Sequence, residues 1–455
     1  MSTASQQPGP VIPNIFAVVR AGDDEILRKI VREFREKGSI NNSTFFSKFT
    51  SLFNTDLKSN AADAWSPNTK NQAFGRTPLH YACRLGHLKC AKILVEEGKV
   101  HVHELNHNKW NILHDCARFG QVEVLAWLLS LPSPYTEVFT HSLSLQQTNF
   151  GSTPLHLALR HQHVECAQLL YSLQSSTNIK FNLKKQTFLH VAIEESLLDF
   201  CNRLLKTPMT SQKHTNFMNL MQARDEHGNL PIHYCCVKPD DRMFFFLRCT
   251  VAYLHSTNNI KNVLRLVMTK DRVGNNAMHY SFGSNSILCA CLVFHYFLIC
   301  FYRIKSELES STGPTPTKTT TSDGSSTQKT QNPMNAQNTA MFQSPIFIAA
   351  KYNQPDAMRK FLLYYAPEST FDYLREGFPE LYDERSSSVD DMTRKLHDFL
   401  TPKDQNELDF IKKGFLGVDT KLVDRFGFTA DQVGLITDEI SNIIKQYEQL
   451  KNANK

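Results

Sequence analysis

No paired CxxC units occur among the 11 cysteines of this 455-residue chain, which excludes the common zinc-binding scaffolds. The closest pairs are Cys235-Cys236 and Cys289-Ala290-Cys291, while Cys83, Cys90, Cys116, Cys166 and Cys201 fall in helical apolar stripes. Free thiols buried in a reducing compartment fit that distribution. Phosphate-binding, kinase, GxSxG, HExxH and dinucleotide-binding signatures are all missing, so the sequence predicts no catalytic site, cofactor or metal. Met1 to Pro13 is polar and lacks the basic-then-apolar order of a secretory leader, which predicts an intracellular, cytoplasmic location. Nor is there a dense Lys/Arg cluster with interleaved aromatics, which argues against nucleic acid as a partner. The net charge of +6 is unevenly spread. Residues 386–455 carry 10 basic and 12 acidic residues, leaving 40 basic and 32 acidic before them.

What is present is a recurrence. Thr77-Pro78-Leu79-His80 returns as Thr153-Pro154-Leu155-His156, with weaker copies around them. The histidine keeps the register at His80, His114, His156, His190, His233 and His279, with Phe347 in the same slot. Gaps of 34, 42, 34, 43, 46 and 68 residues describe a unit near 33 with insertions of varied length. Within the best copy, Thr77 caps a helix and Pro78 occupies its first turn, where a missing N–H costs nothing. Ala82 and Cys83 are small enough for close packing, Gly86 permits a turn, and Leu88, Ala91, Ile93 and Leu94 form the stripe of a second helix. Such a hairpin cannot bury both faces alone; stacking on the next copy completes the core.

A period near 33 carrying this tetrapeptide resembles the ankyrin repeat. The resemblance covers most of residues 10–366 and implies an all-α, ankyrin-repeat solenoid of about seven to eight helix-turn-helix repeats with insertions, plus a C-terminal helical extension. It also implies that the recurring histidine ties each helix start to adjacent loops, and that the chain binds protein on a concave surface. The expected organisation is an N-terminal segment with a degenerate capping repeat (1–37), a polar insertion (38–73), six repeats (74–309), a Ser/Thr/Gln/Asn-rich disordered linker (310–339), a last repeat (340–366), and a helical domain or cap (368–455) in which the period stops. In that tail, Thr429 and Gln432 form a capping box, and Val433, Ile436, Ile440, Ile443, Tyr447 and Leu450 draw a short apolar seam predicted to pack on other tail helices or on the last repeat.

Residues 287–302 are apolar except for His295. Sixteen residues fall short of the ~20 needed to span a bilayer, and a helix apolar on all sides is predicted to be buried on all sides. Met243 to Leu247 are candidates for part of its cover. A thiol–imidazole site at Cys289, His295 and Cys300 lacks an orienting acid or oxyanion donor.

By the resemblance, the outward positions of each copy are the residue before the Thr-Pro pair and the two after the small pair. These are Arg76, Arg84 and Leu85, then Trp110, Arg118 and Phe119, then Ser152, Arg160 and His161, and in the fourth copy Gln186, Glu194 and Glu195. Arginines beside aromatics are typical of binding hot spots, so the predicted protein-binding residues are Arg76, Arg84, Leu85, Trp110, Arg118, Phe119, Arg160 and His161. The expected function is a non-catalytic scaffold or adaptor gripping an acidic, partly apolar polypeptide, with membrane contact disfavoured. One alternative is an ankyrin-targeted effector or enzyme, such as a pathogen protein acting in a host cell, whose activity lies in 368–455, where His397, Asp391 and Asp398 are the candidates. Another is a peripheral membrane adaptor using residues 287–302.

Overall fold

A computed structural model describes residues 15–37, 66–133, 135–139, 145–173, 179–206, 211–237, 250, 259–311, 332–363, 391–432 and 438–454. Most of the predicted polar insertion, the centre of the linker, Met243 to Leu247, and Val433 and Ile436 lie outside them. Among the described residues the regular structure is helical, in two compact units, 1–183 and 184–455.

In the first unit, helix pairs follow one another: α1 (Ile15–Ala21) with α2 (Asp24–Lys37), α3 (Pro78–Leu85) with α4 (Leu88–Lys92), α5 (Ile112–Phe119) with α6 (Val122–Ser130), and α7 (Pro154–Arg160) with α8 (Val164–Ser172). The first members stack α1 on α3, α3 on α5 and α5 on α7. Their buried stripe includes Leu79, Ala82, Cys83, Leu113, Cys116, Ala117, Leu155, Ala158 and Leu159. The cap works as the sequence implies. Thr77 Oγ1 lies 2.8 Å from His80 Nδ1, and the ring's Nε2–H donates to the Trp110 carbonyl of the next copy at 3.2 Å. His114 repeats the bridge to the Ser152 carbonyl at 3.2 Å. The histidine is therefore a staple between neighbours, which is why it recurs. Between copies, turns project as fingers, linked by backbone bonds from His107 N–H to Phe74, Asn149 N–H to Asn108 and Leu183 N–H to Phe150.

The second unit continues the pattern internally with α9 (Phe188–Glu194), α10 (Leu198–Lys206), α11 (Ser211–Gln222), α12 (Pro231–Val237), α13 (Ile260–Met268), α14 (Ala277–Gly283), α15 (Ile287–Ser311), α16 (Pro345–Lys351) and α17 (Pro355–Leu362). His190, His233 and His279 donate to the carbonyls of Asn229, Thr269 and Gln343 at 3.3, 3.2 and 3.0 Å. Helix α15 is longer than its apolar core: it runs 25 residues, and its Cys289–Glu307 stretch is long and apolar enough to cross a membrane by length and composition. Two thirds of that stretch are nonetheless buried in protein, against α13, α14 and α17 and against two tail helices, α18 (Asp391–Leu400) and α19 (Gln405–Leu416). His295 Nε2–H donates to the Leu400 carbonyl at 2.9 Å, and Arg303 pairs with the buried Glu407 at 2.8 Å.

The tail departs from expectation beyond that clamp. The period returns at Asp424, whose carboxylate accepts from the N–H groups of Phe426 and Phe428, as Asp271 accepts from Val273 and Asn275. Arg425 N–H donates to the Met341 carbonyl, extending the finger bonds from Arg272 N–H to His227 and Thr339 N–H to Val273. A single 3-10 turn, Ala430–Gln432, stands where a first helix belongs and packs on α16, and α20 (Asp438–Ala453) packs as a second helix on α17. Ile440, Ile443 and Tyr447 of the predicted seam are buried there, while Leu450 is exposed.

Candidate protein-binding surface

The candidate residues of the first unit form a row of guanidinium groups laid against rings. Arg84 sits over Phe119 with its carbon 4.3 Å from the ring centroid. Arg118 sits over Trp110 at 5.4 Å and near Phe119 at 5.8 Å. Arg76 sits over Phe74 at 5.3 Å. These distances are within cation–π reach. Burial, and next the field of Arg76, holds the Arg84 guanidinium below the ordinary arginine range; the cations are crowded. Leu85 is 42% exposed and Arg118 is exposed, with Arg84, Phe119, Arg160 and His161 partly so.

Trp110 is a correction to the predicted row. It is only 9% exposed, because its ring lies beneath Arg118 and beside His114, whose centroid is 6.1 Å away. It supports the surface rather than presenting itself. In the fourth copy, within the second unit, Gln186 is likewise buried and not outward: its amide donates to Glu194 at 3.0 Å and to Tyr234 Oη at 3.1 Å.

One residue of the first unit escaped the sequence reading because it stands inside an apolar run. Asp115 fills the slot that follows the recurring histidine, where Tyr81 and Leu157 stand in the adjacent copies. Its side chain is fully buried, and neither carboxylate oxygen has a hydrogen-bond partner. Arg76 Nε pairs with it at 3.7 Å, beyond hydrogen-bond length, and neither Arg76 Nε nor Trp110 Nε1 makes a hydrogen bond. Burial pushes the Asp115 carboxyl up to about 7, against the opposing pull of Arg76, Arg84 and Arg118. The equivalent slot in the second unit is satisfied: Tyr234 and Tyr280 donate to Asp225 and Asp271, each at 2.7 Å.

Elsewhere the titratable groups are structural. Burial lowers His80, His233, His279 and His295 to about 4 and His114 to about 3, so each ring is neutral at physiological pH. Burial also raises Cys300 to about 12, the opposite of an activated thiolate, and its partner in the imagined site, His295, is bonded to Leu400. The ten described cysteines are free and buried. His397 Nδ1 lies 3.6 Å from Asp398, on the outside of α18. Among the described residues, His101, His103 and Glu104 are close enough together for metal ligation, but they lie on an exposed loop and Glu104 is paired with Lys70 at 2.7 Å. In the second unit a groove of about 470 Å³ lies between Gly283–Asn285 and Tyr352–Ala357.

Comparison with known proteins matches the family described as Ankyrin repeats (3 copies) over residues 16–138 and 136–217. Inversin of Canis lupus familiaris is 24% identical over 219 residues, 48% of this chain and 18% of that protein. The NAD-dependent deacetylase sir2B of Dictyostelium discoideum is 29% identical over 132 residues, 26% of this chain and 16% of its own length. A Caenorhabditis elegans homolog of transient receptor potential cation channel subfamily A member 1 is 24% identical over 153 residues, 34% and 12% of the two chains. The chain thus spans less than a fifth of the length of these relatives.

Proposed function

The chain is an ankyrin-repeat protein over residues 16–217, and from that premise we propose that it is a non-catalytic scaffold or adaptor that grips an acidic, partly apolar polypeptide on the first unit. Ankyrin repeats and the similarity to inversin support a protein-interaction scaffold in general. The observation that carries the finer reading is the stacking of Arg84 and Arg118 on Phe119 and Trp110. Contact with the rings restrains the guanidinium groups before a partner arrives, so less side-chain freedom is lost when a carboxylate docks beside them. Leu85 and Phe119 add apolar surface beside those edges. Arg160 and His161 extend the row to the third copy. We place the protein inside the cell, a reading supported by ten free, buried thiols.

Arginines at binding hot spots are worth about 2 kcal/mol or more each. Joint charge reversal of Arg84, Arg118 and Arg160 to glutamate is therefore expected to abolish recovery of the partner in affinity purification from native cells. Unchanged recovery with the folded triple variant would show that the partner docks elsewhere.

A further inference from the structure

The buried carboxylate of Asp115 has no structural role that its neighbours satisfy. The slot after the histidine faces the preceding copy: Tyr81 meets Phe16 and Arg20 there, Asp115 meets Arg76, and the third copy has the aliphatic Leu157 in this place. A charge placed there without hydrogen bonds destabilises the fold by leaving its desolvation uncompensated. Arg76 Nε, 3.7 Å from this carboxylate, and Trp110 Nε1 on the same repeat are also buried without a hydrogen bond. The cations that could close on the carboxylate are instead held by rings: Arg84 by Phe119, Arg118 by Trp110. Cations that hold an anion by one long ion pair, with no hydrogen bond to it, are ones that a second anion can claim.

Among the described residues the charges that act on Asp115 are Arg76, Arg84 and Arg118, while Glu104, paired with Lys70, acts on the neighbouring His80. The loop before α3 brings Arg76, and α3 brings Arg84, Tyr81 and the neutral His80. Helix α5 adds Arg118, the neutral His114 and Cys116, and α7 contributes Arg160 and His156. No aspartate or glutamate stands on α3 or α7, and Asp115 is the one on α5.

Building on the reading of this surface as an acidic-peptide site, we propose that Asp115 is its internal counter-ion: a partner carboxylate docks among Arg76, Arg84 and Arg118 by displacing it, and Asp115 takes one proton from solvent as it does so. Two carboxylates cannot both stay ionised among the same few cations, so they hold one proton between them. The free carboxyl already stands at about 7, which makes uptake inexpensive near neutrality. Above that pH each unit is expected to weaken binding about tenfold, because a proton must be bound along with the partner.

The test uses the full-length chain and a fluorescein-labelled peptide of alternating Glu and Phe, read by anisotropy from pH 5.5 to 8.5. Wild type is expected to lose affinity about tenfold per unit above pH 7, whereas Asp115→Asn, and Asp115→Leu, which copies the third repeat, bind without that slope and at least tenfold tighter at pH 8. Calorimetry in buffers of different ionisation enthalpy is expected to show uptake of about one proton by wild type and none by either variant. Affinity that is flat with pH in wild type, or equal or weaker binding by the variants, overturns the proposal. A ligand-free titration separates it from the reading beneath it: tryptophan emission should change near neutral pH in wild type and not in Asp115→Asn. Absence of that change defeats the counter-ion directly. Its presence with no peptide bound at any pH by any variant defeats the acidic-peptide site, and the displacement with it.

Discussion

A single imidazole carries much of each repeat's order. His80 accepts from the Thr77 backbone N–H at 3.3 Å and donates to the Trp110 carbonyl, so its removal strands groups at both ends. His80→Ala is expected to cost about 2–3 kcal/mol in urea unfolding, since each buried group left unpaired costs about 1–3 kcal/mol; a loss below 0.5 kcal/mol would mean the staple is ornamental. Asp115 works in the other direction. Its carboxyl is raised in the folded state from 3.8 to about 7, so between those values the native chain holds the proton that the unfolded chain has lost. Stability from this residue is greatest below about pH 4 and is lost as pH rises to 7. Asp115→Asn is therefore expected to melt higher than wild type at pH 8, with the difference shrinking at pH 5. At this scale the sequence revealed the staple, because it recurs. It concealed Asp115, whose neighbours are apolar, and it misplaced Trp110, whose ring is large enough to fold back beneath Arg118.

Among elements, α15 shows how the second unit holds a helix with a membrane-like composition. Its apolar length is covered by α13, α14, α17, α18 and α19, and its polar end is fixed by Arg303 on Glu407. Glu407 is fully engaged, since its second oxygen accepts from the Lys403 N–H at 2.7 Å. Glu407→Ala strands a mostly buried arginine and is expected to cost about 3–5 kcal/mol, whereas Glu407→Gln, which keeps the acceptor, should cost less. Chemical denaturation of the two variants checks the order, and equal losses would show that charge pairing contributes nothing. That α15 would be buried was readable from its uniform apolarity. The closing repeat was not, because its Thr-Pro-Leu-His block had shrunk to the 3-10 turn Ala430–Gln432. A signal was present in the finger instead: Asp424-Arg425-Phe426-Gly427 mirrors Asp271-Arg272-Val273-Gly274, with Gly427 and Gly274 both left-handed at φ +83° and +89°.

For the molecule as a whole, the buried histidines set the acid limit. His80, His114, His233, His279 and His295 are held neutral well below 6.5, so between that value and about 4 the unfolded chain binds protons that the native chain refuses. Their contribution to stability is complete above pH 6.5 and falls as pH drops towards 4, by roughly 1.4 kcal/mol per group and pH unit. Five such groups outweigh the opposite slope of Asp115, so the urea midpoint is expected to fall steadily from pH 6.5 to 4; a midpoint constant over that range would contradict the neutral, buried assignment. The central claim concerns binding, and a photo-crosslinking amino acid at Leu85, beside Arg84 and Phe119, tests it most directly. Irradiation in native cells, with the same probe at Tyr352 as control, is predicted to trap from Leu85 alone a peptide rich in Asp and Glu with interspersed apolar residues. Crosslinks confined to Tyr352, or a trapped segment that is basic, would contradict the account.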